Sequence, residues 1–68
     1  MTERPFSNQE KCDCVRRELA LRIRVYPGHV KNHKMRASVA THEIAVMSAI
    51  VDDYCRLADQ ERRQEQLL

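Results

Sequence analysis

The stretch Arg17-Glu18-Leu19-Ala20-Leu21-Arg22-Ile23-Arg24-Val25-Tyr26-Pro27 decides the fold. It reads as a basic amphipathic helix stopped by a proline. Upstream, Cys12 and Val15 continue the apolar positions Leu19, Ile23 and Tyr26 with steps of 3, 4, 4 and 3, one stripe at helical period. Cys14, Leu21 and Val25 form a second stripe beside it, and Arg16, Arg17 and Arg24 fall on the remaining face. Asp13/Arg17 and Glu18/Arg22 are i,i+4 pairs with the acid first, the favoured order. Ser7-Asn8-Gln9-Glu10 has the form of a capping box, which starts this first helix near Asn8. Pro27 biases Tyr26 away from helical dihedrals, so the helix is expected to end near Val25. Gly28 follows, and His29 to Lys34 make a polar connector anchored by Val30 and Met35.

A second helix is expected to begin between Arg36 and Ser38, with Ser38 as its cap. Its stripe, Ala40, Ile44, Met47, Val51, Tyr54 and Ala58, steps by 4, 3, 4, 3 and 4, a heptad seam. Val46, Ile50 and Leu57 flank it. Beyond Ala58 the seam positions become Glu61 and Glu65, so packing is expected to stop there. Residues 59–68 are then a polar helical extension or a frayed tail, residues 1–6 a flexible arm, and residues 7–58 the folded unit.

Two helices covering only each other need one apolar stripe apiece. The doubled stripes therefore imply an all-α helical hairpin that pairs with a second copy as a four-helix bundle. Leu19, Ile23, Tyr26, Ile44, Met47, Ile50, Val51 and Tyr54 are the expected core and dimer residues. The competing arrangement is a monomer whose connector packs on the second stripe.

The chain has 68 residues, 43% apolar and 32% charged, with one glycine and no tryptophan, which is the balance of an ordered helical chain. A domain this short buries only about 60% of its unfolded surface and needs a staple, a metal, a partner or unusually good helix packing. Its longest uncharged run, Ile44 to Val51, is far short of the roughly 20 residues that cross a bilayer. With no apolar signal core at the N-terminus, a cytoplasmic location follows by elimination. Three cysteines, Cys12, Cys14 and Cys55, without a secretion signal argue against a disulfide framework and are expected as reduced thiols in the core.

No motif carries catalytic chemistry. Cys12-x-Cys14 and His29-x3-His33 are zinc-like, but a C-x-C pair within a helix turns its sulfurs about 200° apart, so neither metal nor cofactor is expected. His42-Glu43 has Val46 and Met47 where a zinc protease helix needs its second histidine. Asp52-Asp53 are neighbours on a helix and point apart. An enzyme is not expected from a chain with so little room for a pocket.

Charge is asymmetric beneath a net +2. Residues 1–36 carry nine Lys/Arg against Glu3, Glu10, Asp13 and Glu18, giving +5. Residues 37–68 carry Arg56, Arg62 and Arg63 against six acids, giving −3. Arg16, Arg17, Arg24, Lys31, Lys34 and Arg36 thus form a basic face for an acidic partner. That face would equally meet phosphates, but helix 2 opens Arg36-Ala37-Ser38 and continues apolar and acidic, unlike a recognition helix. A protein partner is the first expectation and nucleic acid the alternative.

The string Arg17-Glu18-Leu19-x-x-Arg22-x-x-Val25-Tyr26-Pro27-x-x-Val30, then Lys34-Met35, then Ala40-x-x-Glu43-Ile44-x-x-Met47-x-Ala49-Ile50-x-x-Asp53-Tyr54, resembles a family of small uncharacterised helical proteins carried by phages and prophages of proteobacteria. It spans about residues 12–58. Members usually carry glycine before the Lys-Met and Ser or Thr after it, where this chain has His33 and Arg36. The resemblance implies a phage early-region protein acting in the host cell, and short phage proteins of this sort often bind and disable a host protein. A purely structural phage component is the remaining expectation.

Overall fold

The computed structural model describes residues 5–67, so the expected arm lies outside the described residues apart from Pro5 and Phe6. Two antiparallel helices, α1 (Asn8–Lys31) and α2 (Ala37–Leu67), form a hairpin 52 × 23 × 15 Å in extent. The fold is all-α.

Ser7 caps α1 as its sequence requires: its Oγ accepts from the Glu10 amide at 3.1 Å, and Glu10 Oε1 accepts from the Ser7 amide at 3.1 Å. The expected stop at Pro27 is corrected, because α1 continues to Lys31 with Pro27 inside it. Proline lacks the N–H that would reach the Ile23 carbonyl. It lies on the exposed side, where that carbonyl can be solvated. The turn beyond it is retained by packing, since Tyr26, Pro27 and Val30 line one recess with Ala37, Ala40, Thr41 and Ile44 of α2.

Termination comes instead from His33, the one non-glycine residue among those described with positive φ, at 61°. Its amide reaches the Val30 carbonyl at 3.1 Å, and the Lys34 amide reaches the His29 carbonyl at 2.8 Å. These are the two bonds of a Schellman motif, which favours glycine at the left-handed position. Ser38 is corrected from a cap to a first-turn residue, because α2 begins at Ala37 and the Ala40 amide bonds the Arg36 carbonyl at 3.0 Å.

The seam on α1 is Asn8, Cys12, Val15, Leu19, Arg22 and Tyr26, all buried or half-buried. Its steps alternate 4, 3, 4, 3 and 4, matching the α2 seam. Ile23 is thereby corrected out of the core. Two consecutive steps of 4 overshoot the interface, and Ile23 is 52% exposed. Arg22 occupies the seam position, laying its stem along it and meeting Glu18 at 3.9 Å. Asp13, expected to pair with Arg17, accepts instead from Gln9 Nε2 at 2.9 Å. On α2, Ala40, Ile44, Met47, Val51, Tyr54 and Ala58 are buried or half-buried as expected, and Ile50 is half-buried.

α2 runs past Ala58 to Leu67, so the tail is a helical extension, and packing does not stop there. Glu61 takes the next seam position and accepts from the Nδ2 of Asn8, which is buried. Lys11 lies over the Tyr54 ring at 5.5 Å, closing the same end.

Only Cys12, Ala40 and Ala58 are buried apolar residues among those described. A core this thin cannot hold 68 residues by apolar burial alone. The chain adds a covalent staple: Cys12 and Cys55 form a disulfide between the helices, with Cα atoms 4.9 Å apart. The expectation of three reduced thiols is therefore corrected, and only Cys14 is free, on the surface. The physical reason is register. Cys12 lies on the α1 seam and Cys55 beside the α2 seam, next to Tyr54 and between Val51 and Ala58, at the same level of the hairpin.

Candidate partner-binding surface

All six basic residues singled out in the sequence are exposed. Arg17, Arg24 and Lys31 are seven apart and lie along one line of α1, a ridge about 21 Å long at 1.5 Å per residue. Arg16 lies about 100° round from Arg17. Lys34 and Arg36 belong to the connector, so the sequence-predicted patch is one ridge plus one tip.

Folding concentrates charge further. From Leu19 to His42 there is no Asp or Glu, and Arg22, Arg24, Lys31, Lys34 and Arg36 are joined by His29, His33 and His42. Because the helices are antiparallel, this whole segment lies in the connector half of the hairpin. Residues 19–48 carry +4, those five cations against Glu43. The described residues of the open half carry −2: Lys11, Arg16, Arg17, Arg56, Arg62 and Arg63 against Glu10, Asp13, Glu18, Asp52, Asp53, Asp59, Glu61 and Glu65. Arg62 pairs locally with Asp59. The tip bears an open recess of 530 Å³ lined by Val30, His33, Lys34, Met35, Arg36 and Ala37.

Cys12, half of the zinc-like pair, is committed to Cys55. No group of three or more His, Cys, Asp or Glu side chains among the described residues is placed to hold a metal ion. Among the described residues no helix is long and apolar enough to cross a membrane. Every buried side-chain N or O among them has a hydrogen-bond partner.

Apolar surface is the second feature. Leu21 and Val25 on α1, and Val39, Val46 and Leu57 on α2, are all exposed. The connector does not fold back over them. Val39 extends the sequence-predicted second stripe of α2 by one heptad.

Comparison of the chain with family models, with curated proteins and with solved structures finds no match.

Proposed function

We propose that this chain is a non-catalytic phage or prophage accessory protein that binds a host protein, such as a transcription regulator or defence component, and modulates or inhibits it. It acts as a homodimer in the host cytoplasm. The observation carrying the binding role is the acid-free basic segment from Leu19 to His42, which folds into the connector half and carries most of an exposed cationic ridge on α1. The phage attribution rests on the sequence resemblance. The Cys12–Cys55 bridge sets a condition on the location, since glutathione opens most structural disulfides that are strained or exposed and spares buried ones. Cys12 is 2% exposed and Cys55 half-buried, so the bridge is shielded from one side only.

Nucleic acid is the second reading, supported by the same cations. The test is capture from host lysate with and without nuclease, followed by binding of the purified partner. Replacing Arg16, Arg17 and Arg24 with alanine should spare folding, since exposed ion pairs contribute little. It should weaken partner binding by at least about 1 kcal/mol, the scale of an interface hot spot. A triple variant that binds normally defeats the proposal. Submicromolar retention of DNA at physiological salt, falling by about 0.9 log units per contacted phosphate for each tenfold rise in salt, puts the second reading first.

A further inference from the structure

We infer that the occupant of the exposed apolar face is a second copy of this chain, stacked antiparallel so that each connector lies over its partner's open end. The inference rests on the dimeric reading above and gives it a face, a register and a direction.

The face is set by helix geometry. At about 100° per residue, Cys14, Leu21 and Val25 lie about 120° round α1 from its seam, and Val39, Val46, Ile50 and Leu57 about 100° round α2 from its own, in the same rotational sense. In two antiparallel helices with facing seams, equal rotation in one sense brings both stripes to the same broad side. A helix in a four-helix bundle meets neighbours in two directions about 90° apart, close to this spacing. The broad side measures 52 × 23 Å. Its projected area, roughly 1,200 Å², exceeds the roughly 800 Å² per partner of a standard interface.

Register follows from symmetry in the sequence. The α2 stripe Val39, Val46, Ile50 and Leu57 is symmetric about position 48, so an antiparallel copy sets Val39 on Leu57 and Val46 on Ile50. On α1, Cys14 and Val25 are symmetric about position 19.5, and Glu18 and Leu21 share that centre. The Cys12–Cys55 bridge fixes the relative level of the helices and puts position 19.5 opposite position 47.5. One twofold axis therefore serves both stripes within half a residue. It also sets Leu21 on Glu18 of the other copy, one level from Arg22, which is 3.9 Å from Glu18 in its own helix.

A stack with both connectors at one end loses the apolar pairing of the α2 stripe. It would set Val39 over Gly28, Leu57 over Glu10 and Ile50 over Arg17, and would place two +4 halves together. The antiparallel stack places +4 over −2. Three contacts oppose it: Glu43 meets Asp53 of the other copy, Leu21 meets Glu18, and Arg22 comes level with Arg17.

The test combines mass and distance. Full-length chain should scatter light as a dimer at micromolar concentration. Val46 is exposed in the hairpin, so Val46→Lys should keep its helicity and its bridge while raising the dimer dissociation constant at least about 100-fold, the effect of an uncompensated buried charge. Asp53→Lys should tighten the dimer by removing its like-charge contact. A spin label at Arg63→Cys, in a Cys14→Ser background, lies 15 residues from the axis. Paired labels should be about 45 Å apart at 1.5 Å per residue, against less than about 30 Å if connectors share an end. A monomer would overturn the inference and the dimeric reading together. A dimer with the short distance, or one weakened by Asp53→Lys, would overturn the face-and-register assignment and leave the dimeric reading standing.

Discussion

Reduction of the Cys12–Cys55 bridge is the most informative perturbation of the hairpin. The cysteines are 43 positions apart, so the bridge closes nearly two-thirds of the chain into one loop. Closing a loop of that length removes about 13 cal/mol/K from the unfolded ensemble, or about 4 kcal/mol at 25 °C. The native state has little to set against that loss, because the buried apolar residues among those described are two alanines and the bridged Cys12 itself. The assay is urea unfolding followed by helical circular dichroism, with oxidised and reduced protein at one concentration, since self-association would otherwise shift both midpoints. With a slope near 1 kcal/mol/M for so small a chain, the reduced midpoint should fall by about 3–4 M, or the chain should be unfolded without urea. Reduced protein whose midpoint lies within about 1 M of the oxidised form would refute the view that the staple, and not the seam, holds the hairpin closed.

Three further substitutions probe the backbone and the open end. His33→Gly removes a side chain from a left-handed position and should raise stability by about 1 kcal/mol, measured as a higher urea midpoint with unchanged slope. Gly28→Ala should add about 0.5–1 kcal/mol in the same assay, because Gly28 is helical and a Cβ there meets nothing within 4 Å. Asn8→Asp exchanges a buried donor to Glu61 for a second carboxylate, and should cost about 1–3 kcal/mol at neutral pH; an unchanged midpoint would deny that this contact closes the open end.

The stripes made most of the fold legible. Ser7 and Glu10 announced the start of α1, and the heptad steps from Ala40 to Ala58 announced the α2 seam. Punctuation was misleading because two rare residues sit against their local preference. Pro27 stays inside a helix whose last turn is held by α2, and the single glycine lies in that turn while His33 takes the left-handed position. The disulfide was legible in position and discounted on grounds of context. Cys12 lies on the α1 stripe, and Cys55 is beside the α2 seam, four after Val51 and three before Ala58, at a matching level. The odd count of cysteines said nothing about that geometry. Arg22 was missed because the eye assigns Ile23 to an apolar stripe, whereas the 4-3 alternation selects the arginine and its stem.

The two surfaces of the hairpin have a joint consequence for binding. In the antiparallel stack, the in-plane twofold lays α1 directly against its own mate. The ridge residues Arg17 and Arg24 point away from the seam, about 180° and 160° round from it, and flank the second stripe at about 60° and 80°. Their mates lie at levels 22 and 15 of the facing helix. Four arginines from two chains then fall within about 14 Å along one side of the bundle. The opposite side, built from the outer faces of the paired α2 helices, presents His42, Asp53, Arg56 and Gln60 from each copy, a mixed surface with no such concentration. An acidic partner groove that spans both chains gains the second ridge as an intramolecular contact, with affinity rising through effective concentration and no new kind of contact. Dimerisation should therefore control host binding even though none of the apolar residues touches the partner. Val46→Lys leaves every basic side chain in place, yet it should weaken binding of the purified partner by at least about 10-fold in titration calorimetry, within the gain that linkage of two sites provides. The bound stoichiometry should change from one partner per two chains to one per chain. A monomeric Val46→Lys protein that binds with wild-type affinity would show that a single ridge suffices, and would separate the dimer from the binding function.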